Sequence, residues 1–146
     1  MKTPNFIKNF LKCGLIGWCM EILFTAAGAL RRRDYTLKGN TSLWMFPIYG
    51  CASFLAPLFR LLHSKAIWIR GLVYTGLIFI MEFFSGTLLR KKNLCPWNYS
   101  RSKWNIGKVI RLDYAPLWFL AGLFFEQTLT HSHTVITKKD SCKLQP

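Results

Sequence analysis

Glu21, Glu82 and Glu126 each interrupt an otherwise apolar run, and each has a glycine one helical turn away, at Gly17, Gly86 and Gly122. A charged acid at the centre of a bilayer costs on the order of 3 kcal/mol on insertion scales. Such a residue therefore faces a bundle interior, stays protonated or finds a partner. A glycine four residues away lets another backbone approach beside the carboxyl. The chemistry that suits this arrangement is the binding of a cation, a proton or a polar headgroup between helices. The plainer alternative is an interhelical hydrogen-bond clamp that sets packing. Glu126 lies near the end of its run, so reaching water is a third option for it.

Other residues qualify as accessories. Pro47 removes a backbone donor from the second apolar run and is expected to kink it, freeing a carbonyl toward the interior. Tyr49 and Gly50 beside it would then line a cavity, unless the kink serves packing alone. Arg60 and Arg70 bracket a short connection. They either reach out to the interface or supply one side chain that turns inward to a buried glutamate. The turn Trp97-Asn98-Tyr99-Ser100 is an interfacial anchor or a lid over the bundle, with Asn and Ser capping it. No nucleophile, base and orienting group stand together, so no catalytic residue is assigned and an enzyme is not the expected reading. The five cysteines form no C-x-x-C pair. His131-x-His133 with Cys142 is too loose for a metal site, and neither a metal nor a cofactor is expected.

The elements that must position these residues are long apolar blocks. Half of the 146 residues are hydrophobic (51%), and the mean hydropathy is +0.20. The distribution decides more than the average. Residues 13–30, 43–62, 71–89 and 114–129 form four blocks, each with a single charged residue. A bilayer core needs roughly 20 helical residues to cross. The expected fold class is therefore all-α: an integral membrane helical bundle with four transmembrane spans. Met20-Glu21-Ile22-Leu23-Phe24 up to Leu30-Arg31-Arg32-Arg33 nearly repeats as Met81-Glu82-Phe83-Phe84 up to Leu89-Arg90-Lys91-Lys92. Leu43-Trp44-Met45-Phe46 is echoed by Leu117-Trp118-Phe119-Leu120. These echoes predict two hairpin repeats with Glu21 and Glu82 as counterparts. Between spans three and four, Ile106, Val109 and Ile110 fall at helical spacing opposite Lys108 and Arg111, which predicts a short interfacial helix. Residues 1–130 are expected to form the membrane domain and 131–146 a flexible tail. The first span reads as retained rather than cleaved, because Glu21 would interrupt a signal core.

The formal net charge of +14 does not imply nucleic acid, since the cations cluster beside span ends where anionic headgroups attract them. The first and third connections carry eleven of the twenty Lys and Arg, which places them in the cytoplasm and both termini outside. The expected partners are the bilayer with its anionic headgroups and either another membrane protein or a further copy of the chain.

Four motifs in order connect the chain to a known group: Pro47-Ile48-Tyr49-Gly50, Glu82-x-x-x-Gly86, Trp97-Asn98-Tyr99-Ser100, and Asn105-Ile106-Gly107 leading into Leu117-Trp118. The chain resembles the small membrane proteins of the CmpB-like, ABC-transporter type IV group, which is similar to the vertebrate transmembrane protein 229 family. The resemblance covers roughly residues 14–125. It implies a multi-pass helical membrane protein and carries no agreed activity. The group commonly has Asp where this chain has Asn98, so a role there would be hydrogen bonding rather than charge. No G-x-x-x-x-G-K-[ST] motif is present, so any ATPase would be another chain. The expectation is a multi-pass protein of the cell membrane, transport-related or transport-accessory, with its buried glutamates as the binding groups. The alternatives are a structural or interaction subunit without activity of its own and, more weakly, a lipid-modifying enzyme.

Overall fold

The computed structural model describes the backbone of residues 3–141 and the side chains of residues 6–130. The expected tail, 131–146, with its His131, His133 and Cys142, lies outside the described side chains. Among the described residues five α-helices form: α1 (Thr3–Arg31), α2 (Met45–Gly50), α3 (Ala56–Leu62), α4 (Ile67–Lys91) and α5 (Ala115–Ser141). Three stretches among the described residues are long and apolar enough to cross a membrane: Phe6–Arg31, Met45–Leu62 and Ile67–Lys91. The chain divides into two compact units, Met1–Phe54 and Leu55–Pro146.

In the first unit α1 and α2 pack closely, with glycines on each helix receiving rings from the other. A Cβ on Gly14 would meet the Phe46 ring, one on Gly17 the Tyr49 ring, and one on Gly50 the Phe10 ring. Phe6 meets Phe54 at 4.8 Å between centroids, and Trp18 meets Phe46 at 5.1 Å. Dispersion across many such contacts drives helix association where lipid removes the hydrophobic incentive. The first apolar block, residues 13–30, is part of one continuous helix with the residues before it.

The second apolar block is not one helix. α2 gives way to a 3-10 segment, Cys51–Leu55, before α3 begins. The expected kink at Pro47 is corrected here. Pro47 sits in the first turn of α2, where a missing N–H costs nothing. The break belongs to Pro57, in the first turn of α3. Its ring would clash with the carbonyl of Ser53 and it cannot bond to it, so an α-helix cannot run through 53–57.

In the second unit α4 and α5 pair, again ring on glycine: a Cβ on Gly71 would enter the Phe119 ring, and one on Gly122 would meet Tyr74. Phe59 of α3 lies edge-on to Tyr74 at 4.8 Å. α1 and α4 end alike. Arg33 and Asn93 take positive φ (60° and 55°), and the following residue bonds back five positions, Asp34 N–H to Ala29 O and Leu94 N–H to Leu89 O. This is the Schellman cap, and it gives the Leu-Arg-Arg-Arg and Leu-Arg-Lys-Lys echo a shared local structure.

The expected interfacial helix over 106–111 is overturned. β1 (Asn105–Ile106) and β2 (Ile110–Arg111) form an antiparallel hairpin with Ile106 opposite Ile110. Gly107 and Lys108 both have positive φ (58° and 62°), the signature of a type I′ turn and incompatible with a helix. Lys108 N–H bonds to Asn105 Oδ1 at 3.2 Å, which closes the turn from a side chain. Val109 and Ile110 are buried while Ile106 is exposed, an arrangement set by the turn rather than by a helical face.

Candidate functional site

The first unit builds one polar cluster around Glu21. The Tyr49 hydroxyl donates to Glu21 Oε2 at 3.0 Å, and the Tyr49 ring lies where a Cβ on Gly17 would stand. The connection after α1 turns back along the helix beside this pair. Thr25 Oγ1 donates to Asn40 O at 3.0 Å and accepts from Asn40 N–H at 2.8 Å. Gly39 packs so closely on Ile22 that a Cβ would strike its carbonyl oxygen. Trp18 Nε1 donates to Ser42 O at 3.0 Å. At 1.5 Å per residue, Trp18 lies roughly 20 Å from the Arg31 end of α1. The segment 39–42 is therefore a polar strap running alongside the helix next to Glu21, with both backbone groups of Asn40 bonded to Thr25 and the Ser42 carbonyl to Trp18. Irregular backbone at such depth is tolerated where protein covers it or a wet cavity adjoins it.

The second unit builds another cluster around Glu126, which is only 4% exposed. Arg70 Nη1 donates to Glu126 Oε1 at 3.1 Å. His63 Nδ1 stands 3.6 Å from the same oxygen. Arg70 also reaches the His63 carbonyl at 3.4 Å, which ties the guanidinium to the turn before α4. The Tyr74 phenol is within electrostatic reach of Glu126 and Arg70. Of the two arginines bracketing the short connection, Arg70 turns inward to a buried glutamate. Such a pair in low dielectric repays desolvation only because both members stay bonded.

Glu82 is also buried, at 9% exposure. One turn on, Gly86 receives the loop: a Cβ there would come 3.0 Å from Val109 Cβ and 3.1 Å from the Trp97 ring. Trp97 Nε1 donates to Val109 O at 3.0 Å, Asn98 Oδ1 accepts Ser100 N–H at 3.1 Å, and Tyr99 N–H bonds to Lys108 O at 3.0 Å. The turn 97–100 is thus bonded onto the hairpin, and Asn98 acts through its amide. Arg111 Nε and Nη2 donate to Asp113, at 2.8 Å and 2.7 Å, and Nη1 to the Tyr114 hydroxyl at 2.8 Å. The hydrogen bond from Arg111 holds the Asp113 carboxyl below its ordinary value and raises the guanidinium above its own. Hydrogen bonds from Thr36 likewise lower Asp34 in the first connection. Among the described residues no group of His, Cys, Asp and Glu is arranged to hold a metal.

The family model described as "Putative ABC-transporter type IV" matches residues 8–143, nearly the whole chain. The chain belongs to that family. No solved structure matches it. The CmpB family match spans both clusters, and with three membrane-length apolar helical stretches among the described residues it makes this a membrane protein of a transporter-type family.

Of the residues singled out from sequence in this CmpB-family chain, Glu21 and Tyr49 meet directly. Glu126 instead meets Arg70 and His63, and neither His63 nor Tyr74 belongs to the motifs named from the sequence. A signal for Tyr74 was present. Gly17 and Gly122 stand four residues before their glutamates, whereas Gly86 stands four after Glu82. Helical side chains lean toward the N-terminus, so only a glycine at i−4 opens space directly beneath the carboxyl. In both such cases a tyrosine from the neighbouring helix fills that space.

Proposed function

We propose that this protein is a multi-pass, transport-related or transport-accessory component of the cell membrane, and that Glu21 with Tyr49 forms its site for a cation or a proton. The observation that carries this reading is the contrast between the two carboxylates. Glu126 already holds a guanidinium at 3.1 Å, whereas Glu21 is met by a neutral phenol at 3.0 Å beside a polar strap. A carboxylate satisfied by one hydroxyl retains acceptor capacity for a cation or a proton. Glu126, in the second unit, serves as a charge-paired strut there. The family name supports transport without naming a substrate.

A second reading is favoured by the close ring-on-glycine packing: an interaction subunit whose acids lock helices together. Purified protein in proteoliposomes, with an entrapped pH dye and imposed proton, sodium or potassium gradients, separates the two. Flux that Glu21→Gln abolishes and Lys38→Gln leaves intact supports the site. Flux absent from wild type, together with a stoichiometric co-purifying membrane protein, supports the interaction subunit.

A further inference from the structure

The loop between α4 and α5 carries a site that the carboxylate clusters do not use. Asn98, Tyr99, Arg101, Ser102 and Arg111 line an open-sided cavity of about 190 Å³. No carboxylate lines it. Arg111 is fixed by Asp113 and Tyr114, and its three bonds there occupy one N–H each on Nε, Nη1 and Nη2. A guanidinium has five N–H groups, so two remain. Asn98 commits Oδ1 to Ser100 N–H, which leaves its NH2 group as a donor. Arg101 is exposed, and Ser102 adds a hydroxyl. The wall is donor-rich, cationic and rigid on one side.

We propose that this pocket binds an ionised phosphate group. A water takes about 30 Å³ of liquid, so the cavity holds a group the size of roughly six waters, suited to a phosphate with its first substituent. Arg101 presents a planar donor fork of the kind that matches phosphate oxygens, and Arg111 adds its two remaining N–H groups. The surroundings favour a phospholipid headgroup as the source. Trp104 and Ile106 are 67% and 47% exposed on the hairpin beside the pocket, and Arg90 of the α4 end donates to Gly107 O at 3.3 Å. An aromatic and an aliphatic side chain flanked by Arg90, Lys91, Lys92, Lys103 and Lys108 suit the depth at which headgroups lie. The site does not depend on what Glu21 binds.

The test uses the full chain in maltoside micelles, which contain no phosphate. Short-chain phosphatidic acid and inorganic phosphate are titrated separately at matched ionic strength, with tryptophan fluorescence as readout. Saturable binding that Arg101→Gln weakens about tenfold, the loss expected for one charge-assisted hydrogen bond, supports the site. Arg101→Lys, which keeps the charge but loses the fork, should fall between. Lys38→Gln, the same charge change in the first connection, should leave binding within about twofold. Saturation by phosphatidic acid alone identifies the lipid as the source; saturation by inorganic phosphate as well identifies a soluble phosphate site. Equal weakening by Arg101→Gln and Lys38→Gln, or no saturation by either probe, overturns the proposal.

Discussion

The Tyr49 hydroxyl donates to Glu21 at 3.0 Å from a ring seated on Gly17, four residues before the acid. In the other unit Tyr74 sits on Gly122, four residues before Glu126. The local device is shared as far as the ring: the glycine removes a side chain and a tyrosine enters, and beside Glu21 its phenol also donates to the acid. In the first unit the glycine and glutamate lie on the earlier helix. In the second they lie on the later one.

That device predicts a graded glycine response. Gly17→Ala and Gly122→Ala push a methyl into a tyrosine and should each destabilise by about 1–3 kcal/mol, as overpacking does. Gly76 has nothing within 4 Å of where a Cβ would stand, so Gly76→Ala should be neutral or stabilise by up to about 1 kcal/mol. Thermal unfolding in detergent reads all three. Equal behaviour of Gly17→Ala and Gly76→Ala would remove the tyrosine seat from the account.

The buried pair in the second unit makes a sharper prediction. Arg70→Ala leaves Glu126 buried at 4% exposure without its 3.1 Å partner and should cost about 3–5 kcal/mol. Arg70→Met with Glu126→Gln removes both charges and should recover most of that loss. A double-mutant cycle by thermal unfolding gives the coupling, and a coupling near zero would show the pair to be solvated.

Much of the architecture was legible because apolar block length and cationic block ends are strong signals: residues 13–30 and 71–89 fall within α1 and α4, and both end in the same cap. The loop was misread because Ile106, Val109 and Ile110 have a spacing that helix and hairpin share, and the arbiter was the Gly107-Lys108 turn. The second block was misread because a proline's effect depends on its position. Pro47 falls in a first turn, where it is harmless, and Pro57 dictates the 3-10 segment before it. The Glu21 and Glu82 echo matched letters and not surroundings: Glu21 meets Tyr49 across a helix pair, while the turn after Glu82 carries the loop on Gly86. Arg70 and Glu126 are 56 residues apart, a separation that no local pattern encodes.

The loop should be acid-sensitive. The Arg111 hydrogen bond holds Asp113 below its ordinary value, so the stability it contributes is present above the unfolded value near 4 and is lost as pH falls through the lowered folded value. Tryptophan emission from the loop should therefore shift below about pH 4. Asp113→Asn should abolish that shift and show the loosened loop at neutral pH. Wild-type and Asp113→Asn emission that fall in parallel on acidification would place the sensitivity elsewhere.

The Glu21 pair separates an ionisable site from a clamp. Tyr49→Phe keeps the ring on Gly17 and removes one hydroxyl, so it should cost about 1–2 kcal/mol and leave the fold intact. Glu21→Gln keeps shape and hydrogen bonding but cannot ionise. An ionisable site therefore predicts wild-type thermal stability in detergent that changes with pH and with added sodium or potassium, and a Glu21→Gln profile that is flat in both. Tyr49→Phe should retain the dependence and shift its midpoint, because the carboxylate still titrates with one donor fewer. A clamp predicts something else: Glu21→Gln indistinguishable from wild type at every pH and salt, Tyr49→Phe uniformly weaker, and only Glu21→Ala harmful to assembly. Superimposed wild-type and Glu21→Gln profiles would assign Glu21 to packing, and the strap of residues 39–42 would then serve only to cover it.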